Sequence, residues 1–323
     1  MKLVIAEKPS VAISIAKVIG ATKKKDRYYE GNGYRISWCI GHLIQMANPD
    51  SYDEKYAKWN MTDLPIIPKE YMYEVAKSTK KQFAILKKLM NDKEIDTVIN
   101  ACDAGREGEL IFKHVYDLSR SKLPVKRLWI SSLEDSAILD GFEHLKDGEE
   151  YRNLANAAVC RSQADWLIGM NATRAFTSKY YKRLTVGRVQ TPTLAMLVER
   201  DNQIKNFKKQ KYFNVELDCD GMKAVREKIF DERESDQLLC KCDGKDASVV
   251  SLSEKEKRVK PPRLYDLTSL QRDANRIYGM TAKQTLDAAQ SLYEAKLITY
   301  PRTDSQYLTE DMESTGKSVV RRI

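Results

Sequence analysis

Two short apolar runs, each ending in an acid, constrain this chain most. Lys2-Leu3-Val4-Ile5-Ala6 runs into Glu7, and Asp96-Thr97-Val98-Ile99-Asn100-Ala101-Cys102 runs into Asp103. Short continuous apolar runs of this kind are buried strands, most at home in a parallel sheet. A helical pattern follows each. Pro9 to about Ile19 places Val11, Ile15, Val18 and Ile19 on one face with Gly20 as a stop, and Glu107 to Leu118 follows the second run. Tyr28 to Cys39 reads as two strands around Gly31-Asn32-Gly33, Lys80 to Met90 as an amphipathic helix, and Val125 to Ile130 as a further strand. This alternation predicts an α/β domain with a largely parallel sheet over residues 1–148.

Beyond it the pattern changes twice. Glu149 to Tyr181 is helical and lacks proline and glycine except Gly169; Thr191 to Asn202 continues as helix out of Gly187-Arg188-Val189-Gln190. These define an expected helical region, 149–210. Lys211 to Val259 alternates in strand fashion and is poor in helix signals, which predicts a strand-rich region, 211–262, closed by Pro261-Pro262. Two further helices, near Asp266–Tyr278 and Ala282–Ala295, belong to a last region, 263–323.

Charge narrows the partner. The net charge is +9, and Arg174 to Lys211 alone carries ten Lys or Arg against two acids. A charge run can be simply a solvated face, yet concentrating the excess in one stretch favours a polyanion partner. The six cysteines are scattered; Cys240 and Cys242 match neither a zinc nor a redox spacing, and with three histidines a structural zinc site is not expected. No run of 18 apolar residues is present, so a membrane span is excluded and a cytoplasmic location is expected.

In an open parallel sheet, ligands bind at the carboxyl ends of the strands. Glu7 and Lys8 lie at one such end, Asp103 and Glu107 just past another. Either they converge on one site or they are unrelated solvated loop residues. Carboxylates without histidine or thiolate suit a hard ion such as Mg²⁺. A second candidate is Leu297-Ile298-Thr299-Tyr300-Pro301-Arg302-Thr303-Asp304-Ser305. Tyrosine with a pKa near 10 is a weak nucleophile that needs help to lose its proton, and a guanidinium two residues on can take up charge on a phosphoryl group. No Gly-x-x-x-x-Gly-Lys-Ser/Thr loop is present, which fits phosphate chemistry without ATP.

The wording of these motifs carries a resemblance. Asp103-Ala104-Gly105-Arg106-Glu107-Gly108-Glu109, with Val4-Ile5-Ala6-Glu7-Lys8-Pro9-Ser10, resembles the paired acidic signatures of the toprim domain, although type IA families usually place an aspartate where this chain has Gly105. The segment around Tyr300 resembles the active-site segment of type IA DNA topoisomerases of the topoisomerase III kind. Gly187-Arg188-Val189-Gln190 resembles a second motif of that family, and Gly41-His42-Leu43 through Pro65-Ile66-Ile67-Pro68 resembles its first domain.

The resemblance implies a multidomain fold. An N-terminal, Rossmann-like toprim domain (1–148) would be followed by a first pass of the helical DNA-binding base (149–210), a first pass of the hinge (211–262) and the start of the tyrosine domain (263–323), incomplete portions of a toroidal core. It implies Mg²⁺-dependent, ATP-independent breakage and rejoining of single DNA strands through a 5′-phosphotyrosine, with relaxation or decatenation as the result. Tyr300 attacks and Arg302 stabilises the phosphate; Glu7 handles the proton at the 3′ oxygen, with Lys8 beside it. Glu7, Asp103 and Glu107 are the expected metal-facing carboxylates. Arg161 and Asp165, four apart on one helix face, together with Arg188, Gln190 and His42, are expected at the DNA, His42 being equally compatible with structural packing. The expected protein is a monomer at the nucleoid. Because the chain covers the first half of the family architecture, little strand passage is expected of it alone. The competing readings are a catalytically inactive single-stranded-DNA-binding fragment and a primase- or nuclease-like toprim protein in which Tyr300 is dispensable.

Overall fold

The structure, a computed structural model, describes residues 1–303, 305–308 and 312–321, with backbone alone for 313–315 and 319. Asp304 of the tyrosine segment lies outside the described residues. The strands are β1 Lys2–Ala6, β2 Lys23–Lys25, β3 Tyr28–Gly31, β4 Tyr34–Trp38, β5 Ile44–Met46, β6 Tyr73–Val75, β7 Thr97–Ala101, β8 Val125–Arg127, β9 Lys146–Asp147, β10 Phe213–Cys219 and β11 Met222–Ile229. The helices are α1 Pro9–Val18, α2 Lys80–Met90, α3 Arg106–Ser119, α4 Asp135–Glu143, α5 Arg152–Tyr180, α6 Gln190–Lys205, α7 Glu232–Cys242, α8 Leu267–Tyr278, α9 Ala282–Glu294 and α10 Glu313–Val320.

Two units share these elements: one from residues 1–188 and 263–323, the other from 189–262. The first is built on a seven-stranded sheet in the order β2-β3-β4-β1-β7-β8-β9. The central strands β4, β1, β7 and β8 run parallel, and antiparallel strands close both edges. Successive side chains of a strand point to opposite faces, and β1 shows why its apolar run is continuous. Leu3 and Ile5 enter a core with Phe83 and Leu86 of α2 and Ile111 and Val115 of α3. Val4 and Ala6 enter the opposite core with Val11 and Ile15 of α1 and Ile138 of α4. Both faces are covered, so neither can be polar. The result is a three-layer α/β/α arrangement.

The helices that follow the adjacent parallel strands β1 and β7 pack on opposite faces, α1 on one and α3 on the other. Such a reversal opens a crevice at the carboxyl ends, between the residues that follow the two strands. Glu7 and Asp103 are those residues. The hairpin expected at Gly31-Asn32-Gly33 is present, whereas the sheet expected to be largely parallel is mixed, parallel at its centre and antiparallel toward both edges. The strand expected over Val125 to Ile130 ends at Arg127, and α4, β5 and β6 were not anticipated.

In the second unit β10 and β11 form an antiparallel pair. The expectation of a region poor in helix is corrected by α7. Asp231 caps this helix by accepting from Arg233 N–H, and Glu232 and Glu234 in its first turn complement the positive end of the dipole. Residues 245–266 form neither helix nor strand.

Candidate active site

Ala6 and Ala101 are register partners at the ends of β1 and β7, so the next residues on each strand emerge side by side. Glu7 Oε2 accepts a hydrogen bond from the backbone N–H of Asp103 at 3.3 Å. Glu7 is 7% exposed and Asp103 9% exposed. Burial, followed by the negative charge of Asp103, raises the Glu7 pKa to about 7, against the opposing pull of Lys8 and Arg302. Lys8 is half-buried and Arg302 exposed.

Tyr300 arrives from a distant part of the chain. Helix α9 ends with Leu297 N–H donating to Leu292 O at 2.9 Å and Lys296 in the left-handed region at φ 62°. The chain then runs back along the sheet, where Tyr300 N–H donates to Ser131 O at 3.0 Å and Lys296 Nζ pairs with Asp135 at 2.5 Å. Tyr293, 4% exposed, is part of the α1-side core and meets the Tyr300 ring edge-on at 5.4 Å. The half-buried Tyr300 phenol is held protonated well above the usual tyrosine range, by burial first, then by the charges of Asp103 and Glu7 and a hydrogen bond with Asp103. Asp103, Tyr300 and Arg302 border a cleft of about 1170 Å³ that is also lined by Glu107, Trp129 and Arg161.

The remaining candidates fall into three places. Glu107, on the first turn of α3, is half-exposed and meets His42 Nε2 at 3.4 Å. Arg188 reaches back 23 residues to grip Asp165 with two hydrogen bonds, Nε–Oδ1 at 2.5 Å and Nη2–Oδ2 at 3.2 Å, which keeps the Asp165 pKa low. Arg161 lines the cleft on the same helix as Asp165. Gln190 opens α6 in the second unit.

Sequence reasoning missed Arg127 and Glu109. Their ion pair (2.6 Å) is buried beneath the Asp103 turn, and the guanidinium also donates to four backbone carbonyls there. Arg127 just before the apolar Leu128-Trp129-Ile130, together with the last acid of the Asp103–Glu109 motif, was the available signal.

The donor set bears on metal binding. Glu7 and Asp103 offer hard carboxylate oxygens in a buried, mutually repelling pair, which fits a divalent cation such as Mg²⁺ completed by water. Among the described residues no group of three or more His, Cys, Asp and Glu side chains is arranged to hold a metal. The pair therefore fits, whereas the full trio with Glu107 is not assembled.

Paired acids at the ends of adjacent parallel strands, with a tyrosine–arginine segment docked against them, are the arrangement of a protein built on the toprim fold. Family models agree: that of the Toprim domain matches residues 2–133, and that of DNA topoisomerase matches residues 149–323. The chain belongs to the type IA DNA topoisomerase family. It is 47% identical over 321 residues to DNA topoisomerase 3 of Bacillus cereus, covering 97% of this chain and 44% of that protein. Against DNA topoisomerase 3 of Shouchella clausii it is 46% identical over 325 residues, covering 98% of this chain and 45% of the relative. It thus spans less than half the length of these curated relatives. Among solved structures, full-length topoisomerase I from Thermotoga maritima shares the fold with a TM-score of 0.69 at 22% identity, over 99% of this chain and 52% of that one.

Proposed function

We propose that this chain carries the DNA-cleaving centre of a type IA topoisomerase, in which Tyr300 opens one DNA strand. The observation that carries the reading is that Tyr300 and Asp103 line one cleft and Asp103 is bonded through its N–H to Glu7, which brings a nucleophile beside two buried acids. The Tyr300 oxygen bonds to phosphorus, the bond from phosphorus to the 3′ oxygen breaks, and that oxygen takes a proton from Glu7. A 5′-phosphotyrosine and a 3′-hydroxyl result. The reverse step reseals the strand without ATP. A Glu7 pKa of about 7 leaves both protonation states populated at neutral pH, as a group that gives and then retakes a proton requires. Because Glu7 enters this step protonated, the Asp103 carboxylate is the acceptor for the phenolic proton, while Arg302 and Lys8 balance charge on the phosphate.

Mg²⁺, when bound, supplies positive charge beside the phosphate. Glu7 and Asp103 would hold it through their hard carboxylate oxygens. Glu107 is a proposed third ligand and must leave His42 to join them. Arg161, the Arg188–Asp165 pair and His42 are proposed to hold single-stranded DNA near the cleft, Gln190 is a proposed DNA contact of the second unit, and the whole protein is proposed to relax or decatenate DNA as a monomer at the nucleoid in the cytoplasm. No helix among the described residues is long and apolar enough to cross a membrane.

One observation favours a second reading, a DNA-binding segment without catalysis: the Tyr300 phenol is held strongly protonated. Incubation with an end-labelled single-stranded oligonucleotide and Mg²⁺, then denaturing electrophoresis, separates the two. The cleavage reading requires a DNA–protein adduct that disappears in Tyr300→Phe. Binding without any adduct supports the second reading, and an adduct unaffected by Tyr300→Phe refutes the assignment of the nucleophile.

A further inference from the structure

We propose that Arg127 is a positioning residue: its buried guanidinium fixes the backbone turn that carries Asp103, and thereby sets the divalent-cation site made by Asp103 and Glu7. The inference rests on the reading that this pair holds such an ion.

Arg127 is 1% exposed, and its contacts are distributed unusually for an ion pair. Nε binds Glu109 Oε1 at 2.6 Å. The other nitrogens are spent on backbone: Nη1 reaches the carbonyls of Cys102 and Leu128 at 2.7 Å each and of Asn100 at 3.1 Å, and Nη2 reaches Asp103 O at 2.9 Å. One planar fork therefore spans the end of β7 and the first two residues beyond it. Asn100 closes the network: its Oδ1 accepts from Cys102 N–H at 3.0 Å and its Nδ2 donates to Glu109 Oε2 at 3.2 Å. Aromatic rings cover the assembly, with Trp129 4.8 Å and Tyr151 5.9 Å from the guanidinium carbon.

The turn is gripped from its other side by Gly108. A Cβ there would sit 2.1 Å from Asp103 O, so helix α3 packs directly on the Asp103 backbone. A buried pair serving stability alone needs only Glu109, and apolar residues of similar volume often replace such a pair without loss. Holding the carbonyls of Cys102 and Asp103 is a separate task. It decides where the Asp103 carboxylate meets Glu7, and displacements of about 1 Å matter in such sites.

The test measures Mn²⁺ binding to the chain by the electron paramagnetic resonance signal of free ion, Mn²⁺ standing in for Mg²⁺ at a carboxylate site. In the double variant Arg127→Met/Glu109→Met the buried charges are removed together. A cooperative melt with Mn²⁺ affinity at least tenfold weaker supports the proposal; wild-type affinity overturns it. Arg127→Lys keeps the charge and can still pair with Glu109, but a single ammonium cannot span the carbonyls. It is expected to melt cooperatively and bind Mn²⁺ several-fold more weakly, and it decides the matter if the double variant does not fold. Wild-type affinity or loss of cooperative melting in Arg127→Lys overturns the proposal. If the wild-type chain shows no saturable binding, the cation reading itself fails and the proposal falls with it; if it binds and both variants match it, the proposal alone fails.

Discussion

The Glu7 carboxylate receives the backbone N–H of Asp103 at 3.3 Å, across the ends of two neighbouring parallel strands. This hydrogen bond favours the charged form of Glu7, but burial and the Asp103 charge outweigh it. Burial and Asp103 raise the Glu7 pKa from 4.5 to about 7, so between those values the folded chain binds more protons than the unfolded one. Stability from this group is fully present below about pH 4.5 and is lost as pH rises through 7. Glu7→Gln removes that loss. In EDTA at pH 8 the variant is expected to be more stable by on the order of 1–3 kcal/mol in urea denaturation, while losing adduct formation. Equal or lower stability of Glu7→Gln would contradict the burial argument.

Gly105 can be given a side chain. Its φ of 175° is ordinary extended backbone, and a Cβ there meets nothing within 4 Å. It is the N-cap of α3 and makes no side-chain cap, so aspartate would gain a few tenths of a kcal/mol as a better cap. Gly105→Asp also adds a carboxylate next to the Glu7–Asp103 pair. Because cation affinity rises with ligand charge, calorimetric Mg²⁺ binding is expected to tighten several-fold. Unchanged binding would place the ion elsewhere.

How much of this was legible in the sequence follows from which forces were local. The ends of β1 and β7 were readable because a strand buried on both faces must be apolar throughout, so Glu7 and Asp103 marked the point where each leaves the core. Tyr300 was readable from its nine-residue segment, but its docking was not: the bonds to Ser131 and Asp135 link positions more than 160 residues apart. Glu107 shows the same limit. Its place on α3 was legible, whereas its turn toward His42 depends on a loop packed across the sheet end. Arg188 and Asp165 were each identified, yet their pairing depends on the chain reversal after α5. Helix α7 was hidden by strand-like alternation, although Asp231 with Glu232 and Glu234 was a readable start signal. Arg127 was passed over because a charged residue in a short strand ordinarily faces water.

His114 gives a pH signature of opposite sign to Glu7. It is buried on α3 against Tyr73, with ring centroids 4.5 Å apart and neither ring nitrogen hydrogen-bonded. Burial lowers its pKa from 6.5 to about 4. Between those values the unfolded chain binds more protons, so stability rises with pH across the window and is fully present above about 6.5. The contribution is on the order of 3 kcal/mol. His114→Phe is expected to lose markedly less stability than wild type between pH 7.5 and 4.5, measured by urea denaturation at both. Parallel losses in the two proteins would show that His114 does not report burial.

The most direct measurement of the central claim is the location of covalently bound DNA. After reaction with a single-stranded oligonucleotide and Mg²⁺, nuclease trimming and trypsin digestion, mass spectrometry should find the nucleotide remnant on the peptide from Leu297 to Arg302, attached at Tyr300. Tyr293→Phe should keep that remnant and Tyr300→Phe should abolish it. A remnant on Tyr293 or any other residue, or its absence from the wild-type chain, would contradict the assignment of Tyr300 as the nucleophile served by Glu7 and Asp103.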